Sequence, residues 1–226
     1  IIMKILPENT DSSAAANLPE GKQSILDKMM DFIAGVFTPI LPAIIGAGLI
    51  KSVLAIAVLC GIDTKGQTYY FLDFIGDAPL YFLPVMLAYT SAKKMNCNPF
   101  VAIGIAGAMI HPKYIALVTD PFNIHYTSFL GLPVTLATYT SSVIPILLTV
   151  GLLSYVERFL EKILPKMVKF FLKPLLSMLI VVVAAFIVLG PLGFLIGTGI
   201  STGLNMIDAY ASWLVPTVVG TAFPLL

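Results

Sequence analysis

The sequence predicts an all-α, polytopic helical membrane protein, with about five to six transmembrane helices plus a basic amphipathic interfacial helix. Three observations lead there. Of 226 residues, 58% are hydrophobic and 11% charged, whereas a soluble domain carries roughly 25% charged residues. Apolar stretches of the ~20 residues needed to cross a hydrocarbon core recur along the chain. Most of the basic residues gather between those stretches, with Lys51 and Lys113 inside them. A water-soluble chain this apolar would expose large sticky patches; a bilayer is the solvent that suits it. The net charge of +1 gives no field that would recruit nucleic acid.

In chain order, residues 1–23 are small and polar, with Pro7, Pro19 and Gly21. This is linker composition, without the order of regions in a secretory signal, and it suggests that another segment precedes it. Ser24 to Gly35 reads as a short amphipathic helix, with Ile25, Met29, Phe32 and Ile33 on one face and Asp27, Lys28 and Asp31 on the other. Span one runs from Val36 to Cys60, and Pro39 and Pro42 break its start. Span two runs from Tyr69 to Ser91 with Pro79 and Pro84 inside. Span three runs from Pro99 to Thr119, span four from Phe129 to Ser154, span five from Pro174 to Gly199, and a last apolar stretch from Leu204 to Leu226. Between spans four and five lies YVERFLEKILPKMVKFFLK (155–173). There Arg158, Lys162, Lys166, Lys169 and Lys173 oppose Val156, Phe159, Leu160, Ile163, Met167 and Phe170. That periodicity predicts a helix on an anionic membrane surface, kinked at Pro165.

Charge placement orients the chain. With the N-terminus in the cytoplasm, Lys93, Lys94, Arg158, Lys162, Lys166, Lys169 and Lys173 fall inside, whereas the outer loops hold Lys65 set against Asp63 and Asp120. The two cysteines, Cys60 and Cys97, sit in no CxxC and read as free thiols. His111 and His125 lack neighbouring ligands at metal spacing, so no metal or other cofactor is expected.

Polar groups inside spans are costly and mark candidate pathways. Lys51 lies in span one. Asp73 and Asp77 share a helix face in span two, and either can meet Lys51 or Lys65. These groups line a path or are hydrated at the outer interface. His111-Pro112-Lys113 interrupts span three; proline there frees a carbonyl, the imidazole can hydrogen-bond a sugar hydroxyl, and the lysine can meet an anion. Equally, the histidine is structural and the lysine snorkels outward. Tyr139-Thr140-Ser141-Ser142 adds hydroxyls to span four, for helix packing or for a polar path. There is no GxxxxGK[ST] loop of an ATP-driven pump, no GxSxG elbow, and no carboxylate series for a proton relay.

Four segments carry a resemblance: FTPILPAIIGAGLIK (37–51), NPFVAIGIAGAMIHPKYIAL (98–117), GLPVTLATYTSSVIPILLTVGLLSYVERFLEKILPK (131–166) and LKPLLSMLIVVVAAFIVLGPLGFLIG (172–197). In order, they resemble the membrane domain, enzyme IIC of the glucose superfamily, of bacterial phosphoenolpyruvate-dependent sugar phosphotransferase systems, closest to its β-glucoside-specific branch. The resemblance implies a permease that imports a sugar and phosphorylates it on the way. Phosphate would pass from a phosphocarrier protein through IIA to a cysteine of IIB, then to the sugar. It implies that residues 1–23 are a cytoplasmic linker following a IIB domain, that 24–200 form the scaffold and dimerisation half, and that 201–226 open the sugar-binding half. A homodimer in the bacterial inner membrane is implied too. The family's reactive histidine and the glutamate of its Gly-Ile-Thr-Glu-like motif fall beyond the stretch matching 212–226. No catalytic residue is therefore assigned in this chain, neither His111 nor His125; the candidate substrate pathway rests on His111, Lys113, Lys51 and Asp77. Phosphotransfer enzyme activity is implied for the full-length parent only. A sucrose- or trehalose-type relative and an ion-coupled transporter are the alternatives.

Overall fold

The structure is a computed structural model that describes residues 25–119, 126–129 and 131–210. The linker 1–23, Asp120, His125 and the apolar stretch beyond 210 lie outside the described residues. The described chain is an all-α bundle with one small hairpin. Its elements are α1 (Ile25–Phe37), α2 (Leu41–Leu59), α3 (Gln67–Tyr81), α4 (Leu83–Lys94), α5 (Pro99–Met109), α6 (Pro112–Thr119), β1 (Tyr126–Phe129), β2 (Leu132–Thr135), α7 (Ile144–Ile163), α8 (Lys169–Ala184), a π-helical turn (Ala185–Leu189) and α9 (Gly190–Tyr210).

Among the described residues, four helical stretches are long and apolar enough to cross a bilayer: Leu41–Leu59, Gln67–Lys94, Pro99–Thr119 and Lys169–Gly203. They correspond to the expected spans one, two, three and five; the last expected stretch lies mostly outside the described residues, and span four is helical only in its second half, as the start of α7. Residues 126–135 form an antiparallel hairpin, with Phe129 paired to Leu132 and Tyr126 to Thr135. Gly131 takes a left-handed φ of +80° at its turn, and helix begins only at Ile144. The local chemistry explains the difference. Pro133 and the hydroxyl run 138–142 disfavour helix, because short polar side chains compete for backbone groups. An average of hydropathy over that window hides this.

The basic amphipathic helix is also corrected. Residues 155–173 are not one interfacial helix; α7 ends at Ile163, the chain turns through 164–168 at Pro165, and α8 starts at Lys169. The α7 half belongs to the core, where Val156, Glu157 and Leu160 are buried.

Three of the four candidate spans are interrupted within. The second breaks at Phe82, between Pro79 and Pro84. The third breaks at His111, before Pro112. The fourth passes through the π-turn, where Gly190 N–H reaches back to Ala185 O; Pro191 follows and has no N–H to continue the ladder. At 1.5 Å per residue, the 35 residues of Lys169–Gly203 reach roughly 50 Å, beyond a hydrocarbon core of ~30 Å.

The core lies where α7 packs on α4, α5, α8 and α9. Leu87, Ala88 and Ala92 of α4, Ala102, Ile105, Ala106 and Met109 of α5, Ile146, Val150 and Leu153 of α7, and Val181 of α8 interlock there. Alanines at these positions let backbones approach, and van der Waals contact drives such packing in lipid. Buried Ser91 and Thr149 close their hydroxyls on Leu87 O and Pro145 O of their own helices, so they satisfy themselves. By contrast, α2 and α3 pack chiefly on each other and expose Ile45, Leu49, Val53, Ile56, Phe71 and Phe74, as helices facing lipid do.

Candidate functional site

Lys51 and Asp77 lie on the α2–α3 hairpin. The ion pair there joins Lys51 Nζ to Asp73 Oδ1 at 2.6 Å, while Asp77 is exposed one turn further along α3. Both partners of the pair are partly exposed, and mutual neutralisation lowers the penalty of holding them in an apolar hairpin.

His111 and Lys113 sit at a different place, the α5–α6 break. Pro112 cannot donate to Ala108 O, and His111 N–H turns toward that carbonyl at 3.4 Å instead. His111 Nδ1 then accepts from Lys113 N at 3.1 Å, which caps α6. An accepting Nδ1 leaves the ring proton on Nε2, as a donor pointing away from the backbone. Both side chains are exposed. The structure thus keeps Lys51 and Asp77 on one hairpin and His111 with Lys113 at one helix break.

The residues that bring the breaks together are those of the segment 136–143, between β2 and α7. Ala137 exchanges two hydrogen bonds with Tyr114 of α6: the Tyr114 hydroxyl donates to Ala137 O at 3.0 Å, and Ala137 N–H donates to the hydroxyl at 3.3 Å. Tyr139 stacks on Tyr114, with ring centroids 5.6 Å apart and planes 10° apart, and Phe186 of the π-turn closes on Tyr114 at 4.8 Å. Ser141, at φ +58°, donates to Leu80 O at 2.9 Å. That carbonyl is the one whose helical donor would be Pro84, which has none. One short strap therefore touches all three interrupted spans. Irregular backbone at membrane depth survives where protein or a watery cavity meets its polar groups; the strap does so at the first break, through Ser141 Oγ on Leu80 O, and meets the other two through the Tyr114 side chain and ring packing.

Tyr139 is 2% exposed. Its hydroxyl is one of two buried side-chain polar atoms without a partner among the described residues. It lies against Gly190, where a Cβ would fall 2.2 Å from Oη; only glycine fits.

At one end of the bundle the turn 95–98 is clasped by α7. Met95 O accepts from Ser154 Oγ and Arg158 Nη2, both at 3.0 Å, and Asn98 N–H donates to Glu157 Oε2 at 3.0 Å. Asn98 Oδ1 caps α5 through Phe100 N–H. Lys94 pairs with Asp31 of α1 at 2.8 Å. Glu161 holds Lys169 and Lys173 at 2.6 and 2.8 Å across the 164–168 turn, and these two ammonium groups keep its carboxyl down at about 2. Four of the basic residues counted for orientation, Lys94, Arg158, Lys169 and Lys173, are thus held by contacts at this end. Cys97 is buried beside them, and burial, helped by the Glu157 charge, pushes its thiol up to about 11. Among the described residues, no group of His, Cys, Asp and Glu is placed to hold a metal.

A family profile described as "Phosphotransferase system, EIIC" matches residues 34–226. The chain belongs to the phosphotransferase system EIIC family. This EIIC chain is 41% identical over 96% of its length to a β-glucoside-specific EIIBCA component of Bacillus subtilis (strain 168), covering 36% of that protein. It is 39% identical over 88% of its length to the arbutin-, cellobiose- and salicin-specific EIIBC component of Escherichia coli (strain K12), covering 41% of it. To a sucrose-specific EIIBC component of Klebsiella pneumoniae it is 28% identical over 96% of its length, covering 48%. The chain spans less than half the length of these relatives. No solved structure matches it.

The strap of this EIIC chain was only half visible in sequence. Tyr139 and Ser141 stood out as hydroxyls in an apolar stretch. Their partners, Leu80, Tyr114 and Gly190, are apolar or remote residues with no motif. The readable signal was the proline at each break, which announces an orphan carbonyl that something must meet.

Proposed function

We propose that this chain is the N-terminal part of the membrane domain of a phosphoenolpyruvate-dependent permease that imports a β-glucoside and phosphorylates it during passage. The observation that carries the reading is the higher identity to the β-glucoside-specific component than to the sucrose-specific one, 41% against 28% over the same share of the chain. IIB and IIA units of the same system, fed by a phosphocarrier protein, would bring the phosphate. Their joint presence in the EIIBCA relative supports this. We assign residues 24–200 to the scaffold and dimerisation half of a homodimer, and 201–226 to the opening of the sugar-binding half, in the bacterial inner membrane. The N-terminus faces the cytoplasm, because Lys93, Lys94, Arg158, Lys162, Lys166, Lys169 and Lys173 collect on one side. Lys51, Asp77, His111 and Lys113 are the polar positions that a permeating sugar would meet on this half.

The deciding experiment is phosphoenolpyruvate-dependent phosphorylation of labelled β-glucosides by membranes holding the full-length protein, beside membranes holding residues 1–226 alone. Phosphorylation by the full-length protein and none by 1–226 is the expected result. Preference for sucrose would move the substrate to the sucrose branch. Transport that persists without phosphoenolpyruvate, driven by an ion gradient, would sink the reading.

A further inference from the structure

At the basic end of the bundle, α5, the second half of α7 and the start of α8 enclose a cleft of about 920 Å³. The turn at 164–168 makes it, because α8 leaves α7 at an angle instead of continuing its line. Three lysines, Lys166, Lys169 and Lys173, and two carboxylates, Glu157 and Glu161, line it. Glu157 is buried and committed to Asn98 N–H. Glu161 is shared by Lys169 and Lys173. Lys166 makes no ion pair or hydrogen bond among the described residues. The cleft thus keeps one cation in excess of its acids and offers one ammonium with no acceptor.

Its depth is fixed by the spans. Two of the four candidate spans, Pro99–Thr119 and Lys169–Gly203, begin at the cleft wall. It therefore opens where hydrocarbon gives way to headgroups. The rim carries Phe170 and Phe171, 81% and 68% exposed, and aromatic rings favour that layer. Below the rim, Phe171, Leu175 and Leu179 form an exposed row down α8 at four-residue spacing, a track for an acyl chain.

We propose that this cleft binds the headgroup of an anionic phospholipid, with Lys166, Lys169 and Lys173 around the phosphate and an acyl chain along Phe171, Leu175 and Leu179. A zwitterionic lipid brings its own cation to a site already in positive excess, so it is disfavoured. An anionic one supplies the missing charge. Glu161 holds two of the lysines in place at the cost of one negative charge in the site. The inference needs only that the chain sits in a bilayer, and stands whatever sugar is carried.

The test uses the full-length protein in neutral detergent, titrated with phosphatidylglycerol or phosphatidylcholine of matched acyl chains and read by native mass spectrometry. Phosphatidylglycerol should bind more tightly than phosphatidylcholine. Lys166→Gln and Lys173→Gln should each weaken it about fivefold, as expected for one cation near an anionic headgroup, and Lys166→Arg should retain it. Glu161→Gln should tighten it, a gain that no loss of folding can mimic. Equal affinity for the two lipids, unchanged binding in the Lys166→Gln/Lys173→Gln double variant, or displacement of the lipid by inorganic phosphate at low concentration would each overturn the proposal.

Discussion

His111 spends Nδ1 on capping α6, so replacing it removes a cap and an outward N–H donor together. The two are separable. His111→Ala should reduce uptake by the full-length protein and cost about 1 kcal/mol through the lost cap. Asn caps as well, so His111→Asn should restore stability. If uptake returns with it, the imidazole is structural; if uptake stays low while membrane insertion is normal, the Nε2 donor serves the path. Tyr139 and Gly190 give a second residue-scale expectation. Gly190→Ala drives a methyl into the Tyr139 hydroxyl and should cost about 1–3 kcal/mol by overpacking. Tyr139→Phe removes an unpaired buried hydroxyl and should leave the melting temperature in detergent unchanged or raised. A marked fall there would mean that Oη has a partner in the membrane.

Among the elements, the α7–α8 clamp is the one that responds to pH. The Glu161 carboxyl, ordinarily near 4.5, is held at about 2 by Lys169 and then Lys173. A carboxyl depressed on folding contributes stability that is complete above its unfolded value and is lost as pH falls to its folded value. The clamp should therefore hold at neutral pH and loosen between about 4.5 and about 2. Distances between spin labels at positions 163 and 170 should spread over that window, and Glu161→Gln should abolish the dependence. Because Glu161 is half exposed, solvent screening keeps the effect small. The elements also show what was legible. Apolar run length placed α2, α3–α4, α5–α6 and α8–α9, and Pro39, Pro42, Pro79, Pro84 and Pro112 announced their breaks. The pairing of Lys51 with Asp73 was not legible, since Asp73 and Asp77 share a helix face and only the hairpin's register chooses between them. The first half of span four was misread because Leu, Val and Ile around Pro133 and Ser141 keep hydropathy high where backbone chemistry disfavours helix. The strap's role was hidden because Ser141 and Leu80 lie 61 residues apart, a distance over which local pattern carries no information.

For the whole molecule, the two thiols give a topology test. Cys60 is exposed just past the end of α2, and Cys97 is buried at the opposite, basic end. With the N-terminus inside, a membrane-impermeant maleimide added to intact cells should label Cys60. Cys97 should resist labelling even in opened vesicles at pH 8, because burial and a thiol near 11 keep it protonated. Labelling of Cys60 only after the vesicles are opened would invert the topology. The assembly of basic residues at one end would then oppose the positive-inside rule.

The strap has a consequence for biogenesis. A ribosome feeding this chain into the membrane releases Leu80 long before it makes Ser141. At roughly 5–20 residues per second, the 61 residues from Leu80 to Ser141 take seconds, during which the Leu80 carbonyl keeps only the backbone N–H at the helix break and lacks its side-chain donor. Tyr114 waits likewise for Ala137. The early spans are thus inserted with only local backbone bonds at their breaks, before the strap that ties them to one another exists. They become a single unit only when a few residues synthesised later arrive and lock them.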